Sequence, residues 1–105
     1  MADVYSVNFI AEAGMSTSAS YTVPDGYVAV VTTIDWFFGS EIDPPYAEAL
    51  GEAGQCFSYA GTDPLTPALV SWRGRHVLTA GESFSVECLV GNVDVTACGY
   101  LLTAV

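Results

Sequence analysis

The side chains able to do chemistry in this sequence are few and stand without partners along the chain. Nucleophilic catalysis needs a base beside the nucleophile, and the single histidine is His76, in Trp72-Arg73-Gly74-Arg75-His76. Serines are plentiful, yet none sits in a Gly-x-Ser-x-Gly elbow. A lone histidine at a strand end reads as a surface or edge residue, not as a catalyst. The glycines fall singly at turns, so no phosphate-cradling loop is present. Three cysteines, Cys56, Cys88 and Cys98, lack the Cys-x-x-Cys spacing of a zinc or redox centre. They read as free thiols of a reducing compartment. Glu41, Asp43, Glu48 and Glu52 are calcium candidates by charge, but the EF-hand spacing is missing and a solvated acidic loop accounts for them. A glycosidase pair needs two carboxylates facing across a cleft, and among twelve acids no pair stands out. The expectation is a protein that is not an enzyme, with no cofactor and no metal.

Two other groups carry more information. Arg73 and Arg75 are the only two cations beside twelve acids, and alternation puts both on one side of a strand. Arginine binds carboxylates through paired hydrogen bonds, so each is expected to clamp an Asp or Glu, in the same subunit or on a neighbour. The aromatics Tyr46, Tyr59, Trp72 and Tyr100 are candidates for stacking on a sugar or for anchoring an interface, while Trp36 and Phe38 read as core.

The elements that must position these residues read as short strands between turn signals. The strongest is Tyr27 to Phe38, whose even positions (Val28, Val30, Thr32, Ile34, Trp36, Phe38) are expected to face the core. Its odd positions, from Tyr27 to Phe37, are mixed and are expected to be covered by neighbours. Ser83 to Val90 alternates cleanly, with Phe84, Val86, Cys88 and Val90 on one face. Pro24-Asp25-Gly26, Ala80-Gly81-Glu82 and Gly91-Asn92 are turns. Residues 41–54 break the pattern. Asp43 before Pro44 resembles a helix cap, and Tyr46 to Leu50 then reads as a turn or two of helix in an acidic insertion. A two-residue turn at Gly91-Asn92 places Cys88 opposite Val95 and sends Cys98 to the other face. A three-residue loop would place Cys88 opposite Cys98. The shorter turn is favoured, hence free thiols. The fold class expected is all-β: one antiparallel β-sandwich domain over 1–105, jelly-roll-like, with seven or eight strands.

Composition limits the partners. Hydrophobic residues make up 51% and charged residues 13% of 105, and mean hydropathy is +0.42. No stretch approaches the roughly 18 apolar residues of a spanning helix. A small domain cannot hide so much apolar surface, so other chains are expected to cover part of it. A net charge of −10 repels phosphate backbones and anionic lipid, which argues against nucleic acid and membrane as partners. Neither a basic n-region nor an apolar h-region follows Met1, so synthesis in a cytoplasm without a secretory leader is expected.

The stretch Ser71-Trp72-Arg73-Gly74-Arg75-His76-Val77-Leu78-Thr79-Ala80-Gly81-Glu82-Ser83-Phe84, closed by Cys98-Gly99-Tyr100-Leu101-Leu102-Thr103, resembles small virion proteins of tailed phages. These are encoded among the tail genes of phages that infect high-GC Gram-positive bacteria. Val23-Pro24-Asp25-Gly26 before a long hydrophobic strand is similar to the opening of the same group. The resemblance covers 21–40 and 69–103; residues 41–54 have no counterpart, and Cys98 stands where a small or polar residue is usual. It implies a virion part made in the host cytoplasm, in the tail, tail tip or shell decoration, whose partners are copies of itself and other virion proteins. The contact residues expected are Trp72, Arg73, Arg75, Tyr100, Tyr27 and Phe37. A displayed module that binds a glycan or receptor is the other class expected.

Overall fold

The computed structural model describes residues 4–39 and 43–104. Eight strands follow one another: β1 (Val4–Met15), β2 (Ser18–Thr22), β3 (Tyr27–Phe38), β4 (Tyr46–Leu50), β5 (Cys56–Gly61), β6 (Ala68–Leu78), β7 (Ser83–Val90) and β8 (Val93–Thr103). They form two four-stranded sheets, ordered β1-β8-β3-β6 (sheet A) and β2-β7-β4-β5 (sheet B), with every pairing antiparallel. This is the order of a jelly roll, in which all connections but the β4–β5 hairpin cross between sheets. There is no helix among the described residues, so none of them forms a membrane-spanning helix.

The core lies between the sheets. Sheet A supplies Ile10, Ile34, Trp36, Phe38, Val95 and Ala97; sheet B supplies Ala47, Ala49, Phe84, Val86 and Cys88. Trp36 and Phe38 are fully buried. Three expectations are corrected here. First, the even positions of β3 do not all face inward. Val31 pairs with Gly99 and Thr33 with Cys98, so Thr32 is an extra residue that bulges the strand. Before the bulge Ala29 and Val31 face the core; after it Ile34, Trp36 and Phe38 do. Val28 and Val30 are thereby turned to the outside. The odd positions Ala29 and Val31 are covered by the opposite sheet, not by neighbouring chains.

The bulge needs Gly99. A Cβ there would overlap the Val30 carbonyl oxygen and crowd the Thr32 nitrogen. With no side chain on β8 at this point, the kinked backbone of β3 lies close against it.

Second, the expected helix in the acidic insertion is β4, an inner strand of sheet B. Ala47 and Ala49 alternate with Tyr46, Glu48 and Leu50, and both alanines are fully buried. Helix propensity is a weak prior that packing on both sides overrides. Glu41 lies outside the described residues.

Third, Gly91-Asn92 does turn the chain, but it carries it from sheet B to sheet A, so β7 and β8 are not paired. Neither register considered for Cys88 applies. None of the three cysteines is in a disulfide; Cys88 is buried in the core, where its thiol donates to the Val90 and Gly91 carbonyls, and Cys98 is partly exposed on sheet A.

Candidate functional site

Alternation along paired strands fixes what each sheet shows to the outside. On sheet A, β1, β8, β3 and β6 bring Val4 beside Leu102, Leu102 beside Val28, Tyr100 beside Val30, and Val30 beside Val77. Val4 is 63% and Val77 52% exposed. Tyr100, Leu102 and Val28 are half-buried, and Val30 is sealed beneath them. Further along the same face Phe37 stands opposite Leu69, and both are exposed. The end of this face where β1 begins and β8 ends is apolar with nothing over it, while its middle carries Ser6, Asn8, Thr33, Asp35, Ser71 and Thr96.

Arg73 and Arg75 lie on β6 beside that face. Arg73 pairs with Thr33, whose side chain points outward, and Arg75 follows in the same phase. Both are exposed. Neither guanidinium has an ion-pair or hydrogen-bond partner among the described residues. The within-subunit clamp expected from sequence is therefore not made by any described carboxylate.

Sheet B presents another surface. Ser18, Ser20 and Thr22 on β2 face Glu87, Ser85 and Ser83 on β7, and the Thr22 and Ser83 hydroxyls are 2.6 Å apart. Glu48 on β4 stands directly opposite Glu87 on one side and Tyr59 on the other. Burial and the nearby Glu48 charge push the Tyr46 hydroxyl above its ordinary pKa. Two carboxylates facing each other across a strand pair repel.

The open side between β5 and β6 is a groove of about 350 Å³ lined by Phe57, Tyr59 and Trp72 with Ser58, Ser71 and Cys56. Phe57 meets Trp72 edge to face at 5.3 Å and stacks on His76 at 4.0 Å. His76 is an edge residue, half-buried on the outermost strand β6 of sheet A. Its Nε2 is buried without a hydrogen-bond partner, and burial lowers its pKa against the weaker pull of Glu82. Of the expected contact residues, Arg73, Arg75, Tyr100 and Phe37 share the outer face of sheet A. Trp72 lies in the groove, and Tyr27 packs at the edge of the core. Tyr46 and Tyr59 pack together at 5.5 Å on sheet B. Val4, Val77 and Leu69 were missed, because single exposed apolar residues carry no mark in sequence.

The acidic candidates for calcium are spread apart. Glu48 is on sheet B, Asp43 is exposed before β4, and the Glu52 carboxylate accepts the Ser83 N–H. No group of three or more metal-ligating side chains occurs among the described residues.

No protein-family model matches the chain, and no curated protein does. Among solved structures, it is similar to the Drosophila NLP core, whose structure concerns pentamer formation and histone binding. The two share 13% identity at a TM-score of 0.48 over 93% of this chain and 96% of that one. It is also similar to a chain of infectious bursal disease virus Gx strain, with 11% identity and a TM-score of 0.35 over 97% of this chain and 32% of that one. Both likenesses are too distant to add to what the strand order already establishes.

Proposed function

We propose that this protein is a structural building block of a tailed-phage virion, in the tail or tail tip, acting by multi-copy packing and not by catalysis. One observation carries the reading: the outer face of sheet A is apolar and uncovered at one end, where Val4, Val28, Val77, Tyr100 and Leu102 lie together. Antiparallel sheets ordinarily show water a polar face, and contiguous apolar surface marks a contact site. Covering a side chain such as Val77 contributes about 1 kcal/mol, roughly half the value for full burial. Val4, Val28, Val77, Tyr100 and Leu102 together then give about 5 kcal/mol, near the lower end of the cost of association. Apolar cover alone makes a weak contact, and polar pairs must add to it. The phage assignment is supported by the motif from Ser71 to Phe84 and its closing Gly99-Tyr100.

Sedimentation of the purified chain between about 1 and 100 µM tests the assembly, the range in which such contacts saturate. Trimers or larger species are expected. A single 11.0 kDa species throughout would sink the reading. An electron-microscopy map of the intact particle tests the virion assignment, with density for this sandwich expected in the tail.

The groove lined by Tyr59 and Trp72 favours a second reading, a displayed glycan-binding module. Saturable binding on a glycan array, lost in Trp72→Ala, would establish it; a purely structural subunit shows none.

A further inference from the structure

We infer that the face bearing Arg73 and Arg75 docks on a second copy of this chain, at the Glu48–Glu87 surface of that copy's sheet B. The inference rests on the multi-copy reading and says which surfaces meet.

Charge complementarity names the occupant. The chain holds two cations, both exposed on one strand beside the uncovered apolar face, and neither is paired with a described residue. Exposed arginines of a chain of net charge −10 are drawn to an acidic surface. The same chain offers one in which Glu48 and Glu87 stand opposite each other, a repulsive placement in the isolated subunit. An arginine fork placed between two carboxylates relieves that repulsion and gains paired hydrogen bonds. The surroundings also match. Val77 follows the arginines in the same outward phase of β6, while Tyr59 and Tyr46 flank Glu48.

Geometry adds a consequence. The donor face and the acceptor face lie on opposite sides of the sandwich. One neighbour cannot use both at once, so the contact is head-to-tail and passes from copy to copy. It closes a ring or extends as a stack, and it does not stop at two.

Sedimentation velocity on the full chain tests this. Arg73→Gln/Arg75→Gln and Glu48→Arg/Glu87→Arg should each weaken assembly about tenfold or more. Ala11→Glu/Ala13→Glu, which changes net charge as the arginine variant does but at β1, should leave it unchanged. Raising salt from about 0.05 to 0.5 M should weaken the wild type, because the pairs are screened. Arg73→Glu/Arg75→Glu and Glu48→Arg/Glu87→Arg should each stay single alone, but their mixture should restore higher assemblies by alternation, since both contacts between unlike variants again join arginine to glutamate. All four reversals in one chain should restore higher assemblies. A wild type that stays single overturns the multi-copy reading and this contact with it. A wild type that assembles, with Arg73→Gln/Arg75→Gln assembling equally well, overturns this contact alone.

Discussion

On the outside of sheet B the chain places Ser18, Ser20, Thr22, Ser83, Ser85, Glu48 and Glu87; on the outside of sheet A, at the end where β1 begins, it places Val4, Val28, Val30, Val77, Tyr100 and Leu102. Both faces belong to antiparallel sheets packed on one core. Across β2 and the first part of β7, sheet B follows the usual alternation of apolar inside and polar outside. That end of sheet A has apolar residues in both phases. The difference arises partly from one backbone device, the bulge at Thr32. It keeps Ala29 and Val31 in the core and turns Val28 and Val30 out, so one strand feeds two apolar surfaces.

The most damaging way to break this comparison is to remove the space the bulge occupies. Gly99→Ala places a Cβ onto the Val30 carbonyl and against the Thr32 nitrogen. Backbone atoms cannot swing aside as a side-chain tip can, so a loss of about 3 kcal/mol or more is expected. Chemical denaturation measures it. A change under about 1 kcal/mol would show that β3 and β8 do not approach as described.

A less disruptive change acts on the surface alone. Val77→Thr with Leu102→Thr keeps β-branched or strand-compatible residues and should alter folding stability by about 1 kcal/mol or less. Removing two apolar contacts of about 1 kcal/mol each should weaken assembly roughly thirtyfold. Sedimentation beside thermal unfolding separates the two effects. Equal losses in both would mean that these residues stabilise the subunit rather than a contact.

How far the sequence could be read follows from the same contrast. Sheet B's β7 was legible because Phe84, Val86 and Cys88 occupy one phase and Ser83, Ser85 and Glu87 the other. The long strand β3 was not, because both phases are apolar and periodicity cannot reveal where the phase slips. The cause sits on another strand, at Gly99. β4 was misread because Ala, Glu and Leu favour a helix locally, and only the neighbours β5 and β7 decide otherwise. The arginines were legible as a pair, but whether a carboxylate lies in reach is a matter of tertiary placement. Gly91-Asn92 was legible as a turn; whether its strands share a sheet was not.

Acid provides a probe between the sheets. His76 on sheet A stacks against Phe57 on sheet B. Burial lowers its folded pKa below the ordinary 6.5. The unfolded chain therefore binds the proton more readily. This contribution is complete above pH 6.5 and is lost as pH falls below it toward the folded value. Glu82, held down chiefly by hydrogen bonds from Thr79, contributes above its ordinary 4.5 and loses that contribution at lower pH. His76→Phe keeps a ring on Phe57 and removes only the first window. Urea midpoints measured from about pH 8 to 5 should then fall less steeply than in the wild type. An unchanged slope would place the acid sensitivity elsewhere.

The smallest expected effect discriminates most, because its two parts have opposite signs. Glu48→Gln removes one of the two carboxylates that face each other across β4 and β7. In a subunit that stands alone, a like-charged cross-strand pair costs about 0.2–1 kcal/mol, so the variant should be slightly more stable. In an assembly that uses the pair to hold arginine, the same change removes an acceptor and should loosen the contact. A residue kept for folding does not behave this way: its loss weakens the subunit and leaves assembly to follow. Thermal unfolding at low concentration, where copies are apart, and sedimentation at high concentration read the two signs separately. If Glu48→Gln gains stability and loses assembly, the polar face of sheet B contains a local cost to folding that association relieves. If it gains both, repulsion between copies dominates at that surface and sheet B is an outward-facing solvent surface.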